Sequence, residues 1–253
     1  MINIKKFRIV KWKKKPVLQA KNISKSFDER SVLQNINFSV YPGEIFGVLG
    51  PNGAGKSVTF QILIGTLKAS DGEVWVSGKN ISEVPIHDRA KKFRMGYIPQ
   101  SESIWRGISC MDNLMAAAQI SIRDKKLQES TVEQLLTEFS LNDVRNVKAS
   151  NLSGGQRRKV VIARALINNP RIIIMDEPMS QIDPKNIEII KDIIFRLRQK
   201  GISIILSDHS VANVLECSDR CIIISDGEIL SSGTPEACVR DKKARSIYFG
   251  ENF

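Results

Sequence analysis

Eight consecutive residues, Gly50-Pro51-Asn52-Gly53-Ala54-Gly55-Lys56-Ser57, carry the most specific chemistry in the chain. They read G-x-x-x-x-G-K-S, the spacing of a phosphate-binding P-loop. Glycines let a backbone wrap an anion without Cβ clashes. Free N–H groups of the loop, and the helix N-terminus behind it, then face the phosphates. Lys56 is placed to reach the β- and γ-phosphates of a nucleotide and Ser57 to hold Mg²⁺. The flanks suit this reading. Residues 45–49 form a short apolar run, as a buried strand does. Residues 58–67 carry Phe60, Ile62, Leu63 and Ile64 at helical spacing.

Two further groups extend the chemistry. The apolar run 171–175 ends in Asp176 and Glu177. Ligands of an open α/β sheet bind at the carboxyl ends of its strands. An acid there can hold Mg²⁺ through its water shell, and the next can polarise a water for attack on the γ-phosphate. Asp176 is read as the metal acid and Glu177 as the base. Ser153-Gly154-Gly155 opens a helix at 156–166. A hydroxyl, two small residues and a helix N-terminus make a second anion site, or an ordinary capped helix.

The elements that must position these groups follow from periodicity. Residues 17–24 and 33–40 read as strands separated by a polar turn over 25–30, with Phe27 an exposed aromatic. Ile36, Phe38 and Val40 share one face. A turn at 70–72 precedes a short strand, 73–76. A short helix at 87–92 and a strand from Met95 that ends at Gln100 come next. Residues 110–120 and 127–139 have helical patterns, the second with Leu127, Val132, Leu135, Leu136 and Phe139 as its apolar set. An inserted helical subdomain is expected over about 101–159. Asp183-Pro184 starts a helix that Gly201 stops. Strands at 202–206, 220–225 and 228–231 complete an alternating core. The fold class expected is α/β, with a mixed core sheet, a small antiparallel β layer and the helical insertion.

Composition bounds the rest. The chain has 253 residues, 42% hydrophobic and 26% charged, which is ordinary for a folded globular protein. No apolar run reaches the length of a membrane span, and no signal-peptide core is present. A cytoplasmic protein is expected, its four cysteines (Cys110, Cys217, Cys221, Cys238) reduced and partly buried. The net charge of +11 concentrates in a basic arm, residues 1–16. Lys5, Lys6, Arg8, Lys11, Lys13, Lys14 and Lys15 stand there with no acid. The first reading of the arm is a solvated segment. The second is attraction to an anionic membrane surface, and nucleic acid comes last. No nucleic-acid partner is expected.

Taken together, these motifs make residues 17–253 resemble the ATP-binding cassette (ABC) family. Gly50 to Ser57 matches its Walker A motif, Gln100 its Q-loop and Leu152 to Gln156 its signature. Residues 172–177 match Walker B with the catalytic glutamate. Ser180-Gln181-Ile182-Asp183 match the D-loop, and His209 the switch histidine. The resemblance implies a P-loop NTPase of the ABC ATPase fold with ATP and Mg²⁺ as cofactors. Phe27 would stack on adenine, residues 50–57 and Val58 would surround the phosphates, and Gln100 would meet both nucleotide and metal. Ser57 and Asp176 would complete the metal site, with Glu177 and His209 catalytic. Ser153, Gly154 and Gly155 would reach the nucleotide of a second copy, so a homodimer through the ATP sites is implied. His87 stays a surface or core histidine. Val58 departs from the family pattern, which has a hydroxyl residue there. Within the family the chain looks most like the ATPases of lipopolysaccharide exporters, with branched-chain amino-acid importers as the runner-up. Either reading implies two integral membrane subunits docking near Trp105 and Arg106, and peripheral attachment at the cytoplasmic face of the inner membrane.

Overall fold

A continuous apolar run along a strand leaves both of its faces to be covered. Four strands here carry such a run, and each feeds two separate cores. Phe46 and Val48 of β3 (Ile45–Leu49) enter one core, while Ile45 and Leu49 enter the other. Ile172 and Ile174 against Ile173 and Met175 divide β7 (Ile172–Asp176) in the same way. The pattern repeats in β8 (Ser203–Ser207) and β9 (Arg220–Ser225). The computed structural model from which this is read describes residues 15–101 and 103–250. The basic arm, apart from Lys15 and Pro16, lies outside the described residues.

The central sheet has six strands in the order β10-β9-β3-β8-β7-β6, with β6 (Met95–Ile98) and β10 (Glu228–Gly233) at its edges. All pairs are parallel except β9–β10. A second, antiparallel sheet of four strands runs β2-β1-β4-β5. It comprises β1 (Leu18–Phe27), β2 (Arg30–Val40), β4 (Asp71–Val76) and β5 (Lys79–Asn80). One core lies between the two sheets, around α1 (Lys56–Ile64). The other lies beneath the remaining helices: α3 (Cys110–Ser121), α4 (Lys125–Glu138), α5 (Gly154–Leu166), α6 (Pro184–Gln199) and α7 (Val211–Cys217). A short α2 (Ile86–Lys92) precedes β6.

Several local expectations change. The polar stretch 25–27 continues β1, and the turn narrows to Asp28 and Glu29. The pairing absorbs its polar sequence through register shifts, with Asn22 and Asn35 at positive φ. Asp71 and Gly72 likewise belong to β4. Leu127 is 53% exposed, because only the Val132–Leu136 side of α4 and Phe139 face the core. Helix α7 ends at Cys217, and Cys221 lies in β9, in keeping with the strand expected at 220–225. All four cysteines are fully buried, not partly so. His87 is a surface histidine. After β10 come α8 (Pro235–Arg240) and α9 (Lys242–Ala244), the latter continuing as a π-helical turn over Arg245–Phe249. Periodicity gave no sign of these, since each is shorter than two helical repeats.

Candidate functional site

The P-loop joins β3 to α1. Gly50 adopts φ 149°, and a Cβ there would stand 2.1 Å from the Ile224 carbonyl oxygen, so only glycine fits. Side chains of Ser109, Asp124, Ser153, Asp183 and Ser210 cap α3, α4, α5, α6 and α7. Helix α1 has Gly55 as its N-cap and no side-chain cap. Its first N–H groups are therefore left for an anion. Lys56 Nζ donates to the carbonyls of Gly50 (2.7 Å) and Pro51 (2.9 Å), lying back along its own loop. Burial holds its pKa below the usual lysine range, against the pull of Glu177 and Asp176. A phosphate would replace those carbonyls with full negative charge.

The carboxyl end of β7 supplies the acids. Asp176 is buried and accepts a hydrogen bond from Ser207 Oγ at the end of β8 (2.9 Å). Glu177 turns the chain at φ 53°, in the left-handed region. Its Oε2 accepts from Gln100 Nε2 (2.8 Å) and lies 3.0 Å from His209 Nε2. Three residues from three separate strand ends thus meet at one oxygen. Ser57, Gln100, Asp176 and Gly154 line a single cavity of about 820 Å³ with Ser180, Gln181 and Arg158. Ser153 closes a capping box with Gln156, its Oγ accepting the Gln156 N–H (3.2 Å). The hydroxyl hydrogen is still available to donate. A Cβ on Gly155 would come within 2.3 Å of Asn186 Oδ1, so the start of α5 and the start of α6 pack without room for a side chain.

Two expected residues lie away from the cavity. Phe27 is 45% exposed at the β1–β2 turn and lines an open depression with Arg30 and Val32. Leu33 and Val32 sit against Gly55, which places that hairpin beside the P-loop. Trp105 is also 45% exposed. Its backbone is clasped by the buried Asn113 of α3 (3.0 Å each way), and the Arg164 guanidinium lies over its ring at 4.8 Å.

Other residues around the site gave no signal in the sequence. Arg89 is buried and donates to the carbonyls of Ile62, Leu63, Val84 and Ser82, so its guanidinium closes the C-terminal end of α1. Burial lowers its pKa to about 10. Thr59 Oγ1 returns to the Gly55 carbonyl (2.9 Å) and steadies the first turn of the same helix. An arginine on a short amphipathic segment reads as surface until the fold brings carbonyls to it.

The ABC transporter family model matches residues 33–180, from within β2 to the first residue of the D-loop. The chain belongs to the ABC transporter family. It is 38% identical to the lipopolysaccharide export system ATP-binding protein LptB of Haemophilus influenzae, over 94% of this chain and 98% of that protein. It is 40% identical to LptB of Escherichia coli K12, over 93% and 98%. Among solved structures, the ADP conformation of MJ1267, an ATP-binding cassette of an ABC transporter, superimposes with TM-score 0.83 at 28% identity. That match covers 94% of this chain and all of the other. The dimeric post-hydrolysis state of the cassette MJ0796, bound to ADP and Pi, matches with TM-score 0.77 at 26% identity, covering 86% and 98%. As an ABC ATPase, this chain binds and hydrolyses ATP. Among the described residues no helix is long and apolar enough to cross a membrane.

Proposed function

We propose that this cassette is the ATP-hydrolysing subunit of an exporter that extracts lipopolysaccharide from the inner membrane. It would act as a homodimer beneath two integral membrane subunits, attached peripherally to the cytoplasmic face. The observation that carries the reading is the similarity to LptB from one end of that protein to the other.

Each site residue has a part. Phe27 stacks on the adenine of ATP. The backbone from Gly50 to Val58 and the Lys56 ammonium surround the phosphates. Ser57, Gln100 and Asp176 present oxygen donors around one cavity, which is the hard ligand set that Mg²⁺ takes. When bound, Mg²⁺ neutralises charge on the β- and γ-phosphates. Glu177 accepts the proton of the attacking water. Both of its contacts fall on Oε2, which leaves Oε1 for that proton. His209 holds Glu177 in place and reaches the γ-phosphate. Ser153, Gly154 and Gly155 complete the site of the second copy, and the dimeric state of MJ0796 supports this assembly.

Trp105 and Arg106 form the docking point for the membrane subunits. A half-exposed indole backed by Arg164 offers a large apolar anchor that is already ordered. Trp105→Ala is expected to leave the thermal unfolding and basal ATPase of the isolated chain near normal. It should weaken partner binding by on the order of 2 kcal/mol or more. Purification of the tagged chain from detergent-solubilised native membranes tests the whole reading. Two integral membrane subunits carrying lipopolysaccharide are expected. Recovery of amino-acid importer subunits instead would overturn the export assignment.

A further inference from the structure

Asp208 has no part in the chemistry above, yet it is 5% exposed, precedes His209 and bonds to a residue two beyond Glu177. Its carboxylate is split between two loops. Oδ2 accepts the Met179 N–H at 2.9 Å, and Oδ1 accepts the Ser210 N–H at 3.2 Å. Met179 lies two residues after Glu177. Ser210 follows His209, and its Oγ caps α7 by accepting the Asn213 N–H. The same two loops are joined by Glu177 N–H to the Ser207 carbonyl (2.9 Å) and by Ser207 Oγ to Asp176. Asp208 is thus the third tie in a seam, and the one nearest His209 along the chain. Burial pushes its carboxyl pKa up, while the two N–H groups, His209 and Arg158 of α5 pull it down. Burying a carboxylate is costly unless its oxygens are used. Here each oxygen is used on a different loop, which an amide, with one acceptor oxygen, cannot reproduce.

We propose that Asp208 is a positioning residue for hydrolysis, a carboxylate clamp that keeps Glu177 and His209 in register. This rests on the reading of Glu177 as the base and His209 as its partner. The residue acts on geometry alone and touches no nucleotide. Loss of the clamp lets one loop slide against the other, and displacements of about 1 Å cost up to about 100-fold in rate. Phe27 and residues 50–58, which hold most of the nucleotide, make no contact with the clamp, so ATP affinity should change little.

The test is Asp208→Asn in the full chain, assayed with Mg-ATP beside Glu177→Gln. The expected result is a fall in kcat of about tenfold, with KM and ATP affinity within about twofold of wild type. The chain has two histidines, so the exposed His87 serves as an internal reference in proton NMR. The His209 ring resonances should move and those of His87 should not. A kcat within twofold of wild type, or an unmoved His209, would overturn the clamp, as would equal losses in kcat and ATP binding. If the asparagine variant does not fold, Asp208→Ala is read in the same way. Failure of both to fold would make Asp208 a stability residue and also overturn the proposal. Wild-type turnover by Glu177→Gln would overturn the reading of the base. An inactive Glu177→Gln beside a normal Asp208→Asn would overturn the clamp alone.

Discussion

The two ends of the six-stranded sheet both bury charge, and they treat it in opposite ways. At the carboxyl ends, Lys56 rests on the carbonyls of its own loop and Glu177 on Gln100 and His209. Gln100 lines the open cavity of about 820 Å³, and contacts of this kind can be exchanged for a ligand. At the amino ends, Glu44 is fully buried, accepts the Tyr41 N–H (2.6 Å) and lies 3.4 Å from Arg220 Nη1. Beside it, Asp219 accepts the Ile45 N–H (2.9 Å) and pairs with Arg198 of α6 (2.5 Å). These contacts tie the first residues of β3 and β9 to α6. Desolvation is present at both ends. It lowers the pKa of Lys56 and raises those of Glu44 and Asp219. Burial of charge therefore does not itself mark the functional end. The mark is charge whose partners border an open cavity.

The largest effect is expected at Glu177. Glu177→Gln removes the base and keeps the shape, so hydrolysis should fall at least about 100-fold while ATP binding persists. Sizing chromatography with ATP should then show an accumulated dimer, and unfolding should be little changed. A variant that stays monomeric, or turns over normally, would place the base elsewhere.

The opposite end should respond in stability and not in turnover. Burial raises the Glu44 pKa from 4.5 to about 7. The folded state thus holds a proton that the unfolded chain has released. That contribution is complete below about pH 4.5 and is lost as pH rises through about 7. Its full size is on the order of 3 kcal/mol. Asp219, Arg198 and Arg220 face the same carboxyl group and set its final position. Denaturant unfolding at several pH values should show this slope in the wild type and lose it in Glu44→Gln, with ATPase activity near normal. A slope that survives the substitution would assign it to another group.

The smallest effect is expected at Val58, half-buried against the core beneath the P-loop. Val58→Thr adds one hydroxyl beside the phosphates. A single neutral hydrogen bond contributes about 1 kcal/mol, so ATP affinity should tighten by no more than about fivefold. Calorimetric titration measures it. A change beyond tenfold would mean that the loop itself has moved.

How far the sequence could be read depended on distance along the chain. The P-loop was plain because its glycines, lysine and serine act through the backbone of eight neighbouring residues. Strands β3, β7, β8 and β9 were plain because burial on both faces demands unbroken apolar runs. The extension of β1 through 25–27 was not, since its polar residues are held by bulged pairing to β2. Leu127 shows the same limit on a helix. Its spacing matched the apolar face, but the side of α4 that meets the core carries Val132, Leu135 and Leu136.

By itself, the order of residues determined which chemistry the chain carries: a phosphate loop, two acids at a strand end and a second helix N-terminus for an anion. Those are local facts, set by side-chain type and spacing. Only the tertiary structure decided what those groups touch. It brought Gln100, Glu177 and His209 to one oxygen, set Arg89 on the end of α1, and divided Asp208 between two loops. Contacts of this kind join residues tens of positions apart, and their energies depend on burial and angle that no spacing records. The same packing sealed Glu44 and Asp219 at one end of the sheet and left the other end open.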